Sequence, residues 1–386
     1  MNDATRQFVF AHQRDDVRAL ALHGAPDGVD LRYALQQIAA RQILTDKVPS
    51  WARCPEVEFP PHLSVEQCSS EATARYKSGL LSGHSLVDLT GGLGVDCHFL
   101  SQRFAQTDYV ERKPHLAALA AQNFAVLGDK IAVHQTDCET FLPTMPPVDA
   151  IYLDPARRDV AGRKTVALAD CTPNVAALQD LLLEKAQQVL VKLSPMLDIA
   201  LLVRELRCVK AVHIVAVGNE CKEILALMER NFVGEPTIFA VNLPDNEAFA
   251  FHLSDEKQAA CLWADCLQRY LYEPNAALLK AGAFRSVAVR YNLRKLHINS
   301  HLYTSDELLP NFPGRQFEVV GVAPFDKKIG KTLLTDVAKA NLTVRNFPLS
   351  VADLRKKLRL TEGGDIYLFA TTLADGQRVI VRCRKA

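Results

Sequence analysis

An apolar run that delivers a carboxylate into a glycine-rich turn, Leu86-Val87-Asp88-Leu89-Thr90-Gly91-Gly92-Leu93-Gly94-Val95-Asp96, constrains this chain more than any other stretch. Glycines tolerate backbone angles that other residues avoid and let a ligand come close to the main chain. A helix that starts after such a turn leaves its first N–H groups unpaired, facing that ligand. The run therefore reads as a nucleotide-cofactor loop. A dinucleotide fingerprint G-x-G-x-x-G would start at Gly92 and need glycine at position 97, where Cys97 stands. Hydride chemistry on a nicotinamide is accordingly disfavoured.

The next segments repeat the theme. Asp108-Tyr109-Val110-Glu111 places a carboxylate at a second strand end, 23 residues after Asp88, where it can grip ribose hydroxyls. Ile131 to His134 forms a third strand that ends in Gln135-Thr136-Asp137, whose carboxylate can accept from an adenine amino group. Val148 to Leu153 forms a fourth, ending in Asp154-Pro155-Ala156-Arg157-Arg158. Four successive strands ending in polar or glycine-rich elements put those elements on one edge of a parallel sheet, where open α/β folds bind ligands. A helix then precedes a fifth strand, Gln188 to Leu193, and Ala211 to Val217 forms a sixth.

With these residues in place, the chain resembles the class I S-adenosylmethionine-dependent methyltransferases over roughly residues 76–240. The segment Glu111-Arg112-Lys113-Pro114 is similar to one in rRNA guanine-N2 methyltransferases and trimethylguanosine synthases. The lead-in from Ser69 to Lys77 and the later Gly218-Asn219-Glu220-Cys221-Lys222-Glu223 resemble a bacterial family with a THUMP-like C-terminal domain. Most methyltransferases with THUMP domains modify RNA, so the resemblance implies an RNA substrate, ribosomal RNA above all, by analogy of fold. It implies an α/β fold: a doubly wound, Rossmann-like sheet with a helical N-terminal cap and small α+β C-terminal domains. S-adenosylmethionine is the implied cofactor. Asp88, Thr90, Gly91, Gly92, Gly94, Asp96, Glu111, Arg112, Asp137 and Cys138 are the implied cofactor-binding set.

A methyl group on a sulfonium is already activated, so the protein has mainly to align donor and acceptor and manage a proton. Asp154 and Pro155 are expected to present a carboxylate and a carbonyl to an exocyclic base amine, with Lys192 at the next strand end as a third catalytic candidate. Families of this type follow with proline and a stacking aromatic, whereas Ala156 and Arg157 stand here. Stacking then needs a guanidinium face or an aromatic from elsewhere. An alternative acceptor is a ribose 2′-hydroxyl, activated by a Lys-Asp-Lys-Glu set of Lys77, Asp154, Lys192 and Glu220. Arg157 and Arg158 are suited to clamping a substrate phosphate. A non-catalytic RNA-binding protein and a small-molecule methyltransferase remain as readings from other classes.

The net charge of +1 hides an asymmetry. From Lys327 onward there are 13 Lys or Arg against 5 Asp or Glu, a local charge of +8, so residues 1–326 carry −7. Such a segment gives sequence-independent affinity for phosphate that falls with salt. Lys327, Lys328 and Lys331 lack the G-x-x-x-x-G-K-[ST] context of a nucleotide-hydrolysing loop and suit an RNA backbone better. Ten cysteines without a Cys-x-x-Cys pair indicate neither zinc nor a disulfide framework. The absence of a long apolar run or signal-peptide core points to a cytoplasmic protein away from membranes.

The pattern divides the chain into a helical region over 1–75, a methyltransferase domain over 76–240, a linker helix and small ferredoxin-like segment over 241–318, and a basic THUMP-like domain over 319–386. Leu31, Ala34, Leu35, Ile38 and Ala39 recur at helical spacing. A further helix is expected from Glu66 to Leu81 with Ser69 as its N-cap, and another from Glu256 to Tyr270. Near the end, an Asp375-Gly376 turn joins two strands into a hairpin whose Val379, Val381 and Cys383 pack while Arg378, Arg382 and Arg384 meet solvent or phosphate.

Overall fold

Near-continuous apolar runs, buried on both faces, produce a mostly parallel sheet in the first half of the chain. The computed structural model describes residues 1–157, 168–326, 329 and 333–386. Its strands here are β1 (Ser85–Asp88), β2 (Gln106–Val110), β3 (Ile131–His134), β4 (Val148–Leu153), β5 (Ala186–Leu193), β6 (Val209–Val217) and β7 (Glu220–Glu229). They lie in the order 3-2-1-4-5-7-6. β1 pairs in parallel with β2 and β4, β2 with β3 and β4 with β5, whereas β7 runs antiparallel to β5. The order turns back at β1 and β4, which leaves a crevice at the carboxyl ends of these strands.

The chain separates into two compact units. The first comprises Met1–Gly218, Lys222–Pro236 and Leu243–Asp245. Its helix α1 (Asp3–Ala11) packs through Phe8 and Val9 on Ala34 and Ile38 of α2 (Leu31–Lys47), and α2 and α3 (Glu71–Ser78) share a core with α4 (Val95–Ser101), the helix that follows the glycine turn. Ala40, Leu44, Trp51, Val57, Phe59, Val65 and Ala74 pack with Leu93, Val95 and Phe99 in one buried cluster. Arg41 is buried within this region and donates to the carbonyls of Ala52, Cys54, Pro55 and Val57, which fixes the proline-broken segment that no helix can span.

The expected helix from Glu66 to Leu81 is broken in two. A short helix, His62–Gln67, ends before Cys68, and α3 begins after Ser70, whose Oγ accepts from Thr73 N. The N-cap is therefore Ser70, and Ser69 is released for a different bond described below.

The second unit holds Thr237–Asn242 and most of the chain from Asn246 onward. The expected helix from Glu256 to Tyr270 is cut to Leu253–Gln258, because Leu262–Trp263 and Tyr270–Pro274 join a sheet instead. Local helix propensity loses there to strand pairing with Arg294–Lys295 and with the long strand Gly314–Pro324. Gly314–Pro324 pairs antiparallel with Tyr270–Pro274 on one side and with Arg378–Lys385 on the other. The expected hairpin is present, Tyr367–Thr372 against Arg378–Lys385, with Gly376 at φ 84° in the turn. On its second face Arg378 and Arg384 are exposed as expected, but Ile380 between them is buried and Arg382 is held by Asp336 at 2.7 and 2.8 Å and by the Leu333 carbonyl. The middle of this strand is therefore covered on both faces, by separate apolar clusters.

Candidate active site

The glycine turn is built from both sides. Gly92 and Gly94 take φ of 66° and 88°, and a Cβ on Gly94 would lie 2.7 Å from the Phe124 ring, so sterics as well as backbone angle demand glycine there. Asp88 accepts from Thr90 N at 3.0 Å, and Thr90 Oγ1 accepts from Asp154 N at 2.6 Å, tying the ends of β1 and β4 together. Tyr109 on β2 donates its hydroxyl to the Gly92 carbonyl. Glu111 accepts from Gly92 N at 2.8 Å and from Lys113 N at 2.7 Å, so its carboxylate is aimed before any ligand arrives.

These elements open onto a cavity of about 810 Å³. Thr90, Gly91, Gly92, Gly94, Asp96, Glu111, Arg112, Asp137, Cys138, Asp154, Pro155 and Lys192 all line it. Asp137 is exposed and caps the helix Cys138–Thr144 by accepting from Thr140 N, and that bond holds its carboxyl below the usual range. Cys138 is buried, and burial pushes its thiol up to about 12. Asp88 does not line the cavity. It sits 1 % exposed beneath the turn, where burial, with Asp96, Asp154 and Glu111 nearby, pushes its carboxyl up to about 8.

A buried charge cluster stands behind one wall. Lys77, fully buried, donates to both oxygens of Glu223 at 2.9 and 2.8 Å and to Ser69 Oγ at 3.0 Å, and lies 3.0 Å from Asp96 Oδ1. Ser69 and Tyr152 hydroxyls both donate to Asp96 Oδ2 at 2.7 Å. Lys192 Nζ donates to Asp154 Oδ2 at 2.6 Å. Burial alone lowers the Lys192 pKa, but Asp154, Asp96 and Glu223 outweigh it and raise it, so this ammonium keeps its proton. Burial raises Asp96, yet Lys77 and Lys192 more than compensate and hold it ionised.

The partner of Lys77 is Glu223 rather than the expected Glu220. Glu220 is exposed at the start of β7 and falls in the second compact unit. Within a strand, residues three apart face opposite sides, so only one of the two can point inward. Arg158, Lys327, Lys328 and Lys331 lie outside the described residues, and Arg157 is described only as backbone. The sequence reading missed Gln67, Cys68 and Ser69, which line the cavity from the N-terminal region, and Tyr152 and Glu223, which support Asp96 and Lys77. Alternation along β4 was the available signal for Tyr152. None existed for the contacts of Ser69.

The donor set fits S-adenosylmethionine. A preset carboxylate at the end of β2 suits vicinal hydroxyls, an exposed carboxylate after β3 suits an amino group, and an ionised carboxylate beside the glycine turn suits a cationic end. When bound, that cofactor supplies an activated methyl group. Asp154 and Lys192, paired at 2.6 Å, place fixed opposite charges at the wall of the same cavity. Among the described residues no cluster of His, Cys, Asp and Glu is arranged to hold a metal, and no helix is long and apolar enough to cross a membrane.

Comparison with known proteins agrees. A family model described as a ferredoxin-like domain matches residues 270–313, and one described as THUMP domain-like matches residues 314–385. Two strains of Mycobacterium tuberculosis carry proteins named uncharacterized S-adenosylmethionine-dependent methyltransferases, 24 % identical over 332 residues, covering 84 % of this chain and 88 % of theirs. A solved structure from Porphyromonas gingivalis W83, described as a methyltransferase candidate, is 37 % identical, covers 99 % of this chain and 98 % of its own, and superposes with a TM-score of 0.90. With that likeness running the whole length of the chain, over a 3-2-1-4-5-7-6 sheet and a prepared glycine turn, this protein belongs to the class I S-adenosylmethionine-dependent methyltransferases that carry a THUMP-like C-terminal domain.

Proposed function

We propose that the protein is a cytoplasmic RNA methyltransferase that acts on an exocyclic base amine of ribosomal RNA. The observation that carries RNA as acceptor is the THUMP domain-like match over residues 314–385, on the same chain as the methyltransferase sheet. The +8 charge from Lys327 onward supports it, since a polyanion gains from such a segment whatever its sequence. In this reading Asp154 and the Pro155 carbonyl orient the amine, and Arg157, Arg158, Lys327, Lys328 and Lys331 meet the RNA backbone. The test is mass spectrometry of nucleosides from ribosomal RNA of cells with and without the gene. One methylated nucleoside should vanish and return when purified protein and labelled cofactor are added to the deficient RNA. If no rRNA modification changes, the assignment fails.

One observation favours a second acceptor. The Lys192–Asp154 pair at 2.6 Å keeps a proton on Lys192 at the cavity wall, and a fixed cation there lowers the cost of forming an alkoxide from a ribose 2′-hydroxyl. The two readings separate on Lys192→Met. A ribose acceptor predicts a fall in kcat of about 100-fold or more, whereas an amine acceptor predicts that Asp154→Ala is the more damaging change.

A further inference from the structure

We propose that Arg315 and Arg345, held together on the buried Glu273, form a fork for one phosphodiester of the RNA strand. The fork lies wholly within the second compact unit, and the inference rests on RNA being the substrate. It begins with a sheet that curls. Glu273 stands on the strand Tyr270–Pro274, directly opposite Arg315 of Gly314–Pro324, whereas Arg345 closes Asn341–Arg345, the edge strand of the same sheet. Laid flat, the four spacings between Tyr270–Pro274 and that edge would part the two backbones by about 19 Å, at about 4.8 Å each. Yet Arg345 Nη2 lies 2.8 Å from Glu273 Oε1, so the strands bend toward each other and both arginines reach the same carboxylate.

One carboxylate cannot neutralise two guanidinium groups. Arg315 donates to Glu273 Oε2 from Nε at 2.8 Å and from Nη2, and Arg345 takes the other oxygen as an ion pair. Among the described residues no second carboxylate pairs with either arginine, which leaves a formal charge of +1. A latch that only closes the sheet needs one arginine, and bringing a second like charge beside it costs energy until an anion arrives. Exposure agrees: Glu273 is 3 % exposed, but the arginine side chains are 45 % and 39 % exposed. Arg315 Nη1 makes no hydrogen bond among the described residues, while Nη2 also reaches Thr343 Oγ1 at 3.4 Å. A planar guanidinium presents a row of N–H donors that matches the oxygens of a phosphate, and a carboxylate behind it fixes its direction. The surroundings are positive too: burial, with Lys295 and Arg345 nearby, pushes the His301 imidazole down to about 4. Glu273 falls in the ferredoxin-like match and both arginines in the THUMP domain-like match, so neither segment carries the fork alone.

Fluorescence anisotropy of a fluorescein-labelled single-stranded RNA of mixed sequence, titrated with the full chain over a series of KCl concentrations, measures affinity and its salt slope. Either substitution cancels the whole excess charge, so Arg315→Gln and Arg345→Gln should each bind about tenfold or more weakly and flatten the log–log slope by about 0.7, the value of one phosphate contact. The double variant should flatten it by no more than either single variant, because both arginines serve one phosphate. Arg345→Lys keeps the charge and should keep the slope. Parental affinity and slope in both glutamine variants, or twice the slope change in the double variant, overturns the fork and leaves the RNA reading standing. A parent chain that binds no RNA overturns both. Should Arg315→Gln not fold by circular dichroism, Arg345→Gln against Arg345→Lys decides by the same criterion.

Discussion

Asp88 and Asp96 show how one residue type does different work eight positions apart in the chain. Asp96 is ionised by its neighbours, while Asp88, buried among carboxylates, carries a pKa near 8 against an ordinary value of 3.8. A carboxyl whose folded pKa lies above its unfolded value contributes stability that is fully present below the unfolded value and is lost as pH rises through the folded one. The window is therefore pH 4 to 8. Asp88→Asn removes the titration, so the fall in unfolding free energy across that window should flatten by up to about 1 kcal/mol per pH unit relative to the parent protein, read from urea midpoints at several pH values. Equal slopes for the two proteins would mean that Asp88 is ionised in the folded state.

At the scale of elements, the turn between β1 and α4 is the joint on which the cavity depends. Gly94→Ala would force a left-handed backbone on a residue with a Cβ and drive that Cβ into Phe124. A loss of about 2 kcal/mol or more in stability is expected, with cofactor affinity falling beside it. Phe124→Leu in the same chain should recover part of the loss, since it relieves the clash but not the backbone angle; denaturant melts of the single and double variants measure both. This turn was legible in the sequence because it is local: strand, carboxylate, glycines and helix start follow one another without a break. The strand ends at Glu111, Asp137 and Asp154 were legible for the same reason. The meetings of Ser69 with Asp96 and of Lys77 with Glu223 were not. Lys77 and Glu223 lie 146 residues apart, and Ser69 and Asp96 lie 27 apart, so their meeting depends on how α3 packs, which no periodicity encodes. Likewise the strand Leu262–Trp263 hides in a stretch of helix formers, because its pairing partner arrives only at Arg294–Lys295.

For the first compact unit as a whole, the N-terminal helices are part of the catalytic core rather than a covering on it. Trp51, fully buried, packs edge-on to His98 of α4 with ring centroids 5.6 Å apart, in a cluster that reaches Leu93 and Val95. Trp51→Ala should cost about 3–5 kcal/mol, and removing residues 1–68 should leave a chain that melts without a cooperative transition by circular dichroism. A truncated protein that still unfolds cooperatively and binds cofactor would show the sheet to be self-sufficient. In the second unit, the strand Gly314–Pro324 begins where one family match ends and the next starts, at residues 313 and 314. It hydrogen-bonds to Tyr270–Pro274 and Arg378–Lys385 at once. A genetic break at that junction would strip either fragment of a central strand and leave a raw sheet edge, an invitation to aggregation. Descent has therefore to pass these two segments on as a single heritable block, although their sequences are recognised separately.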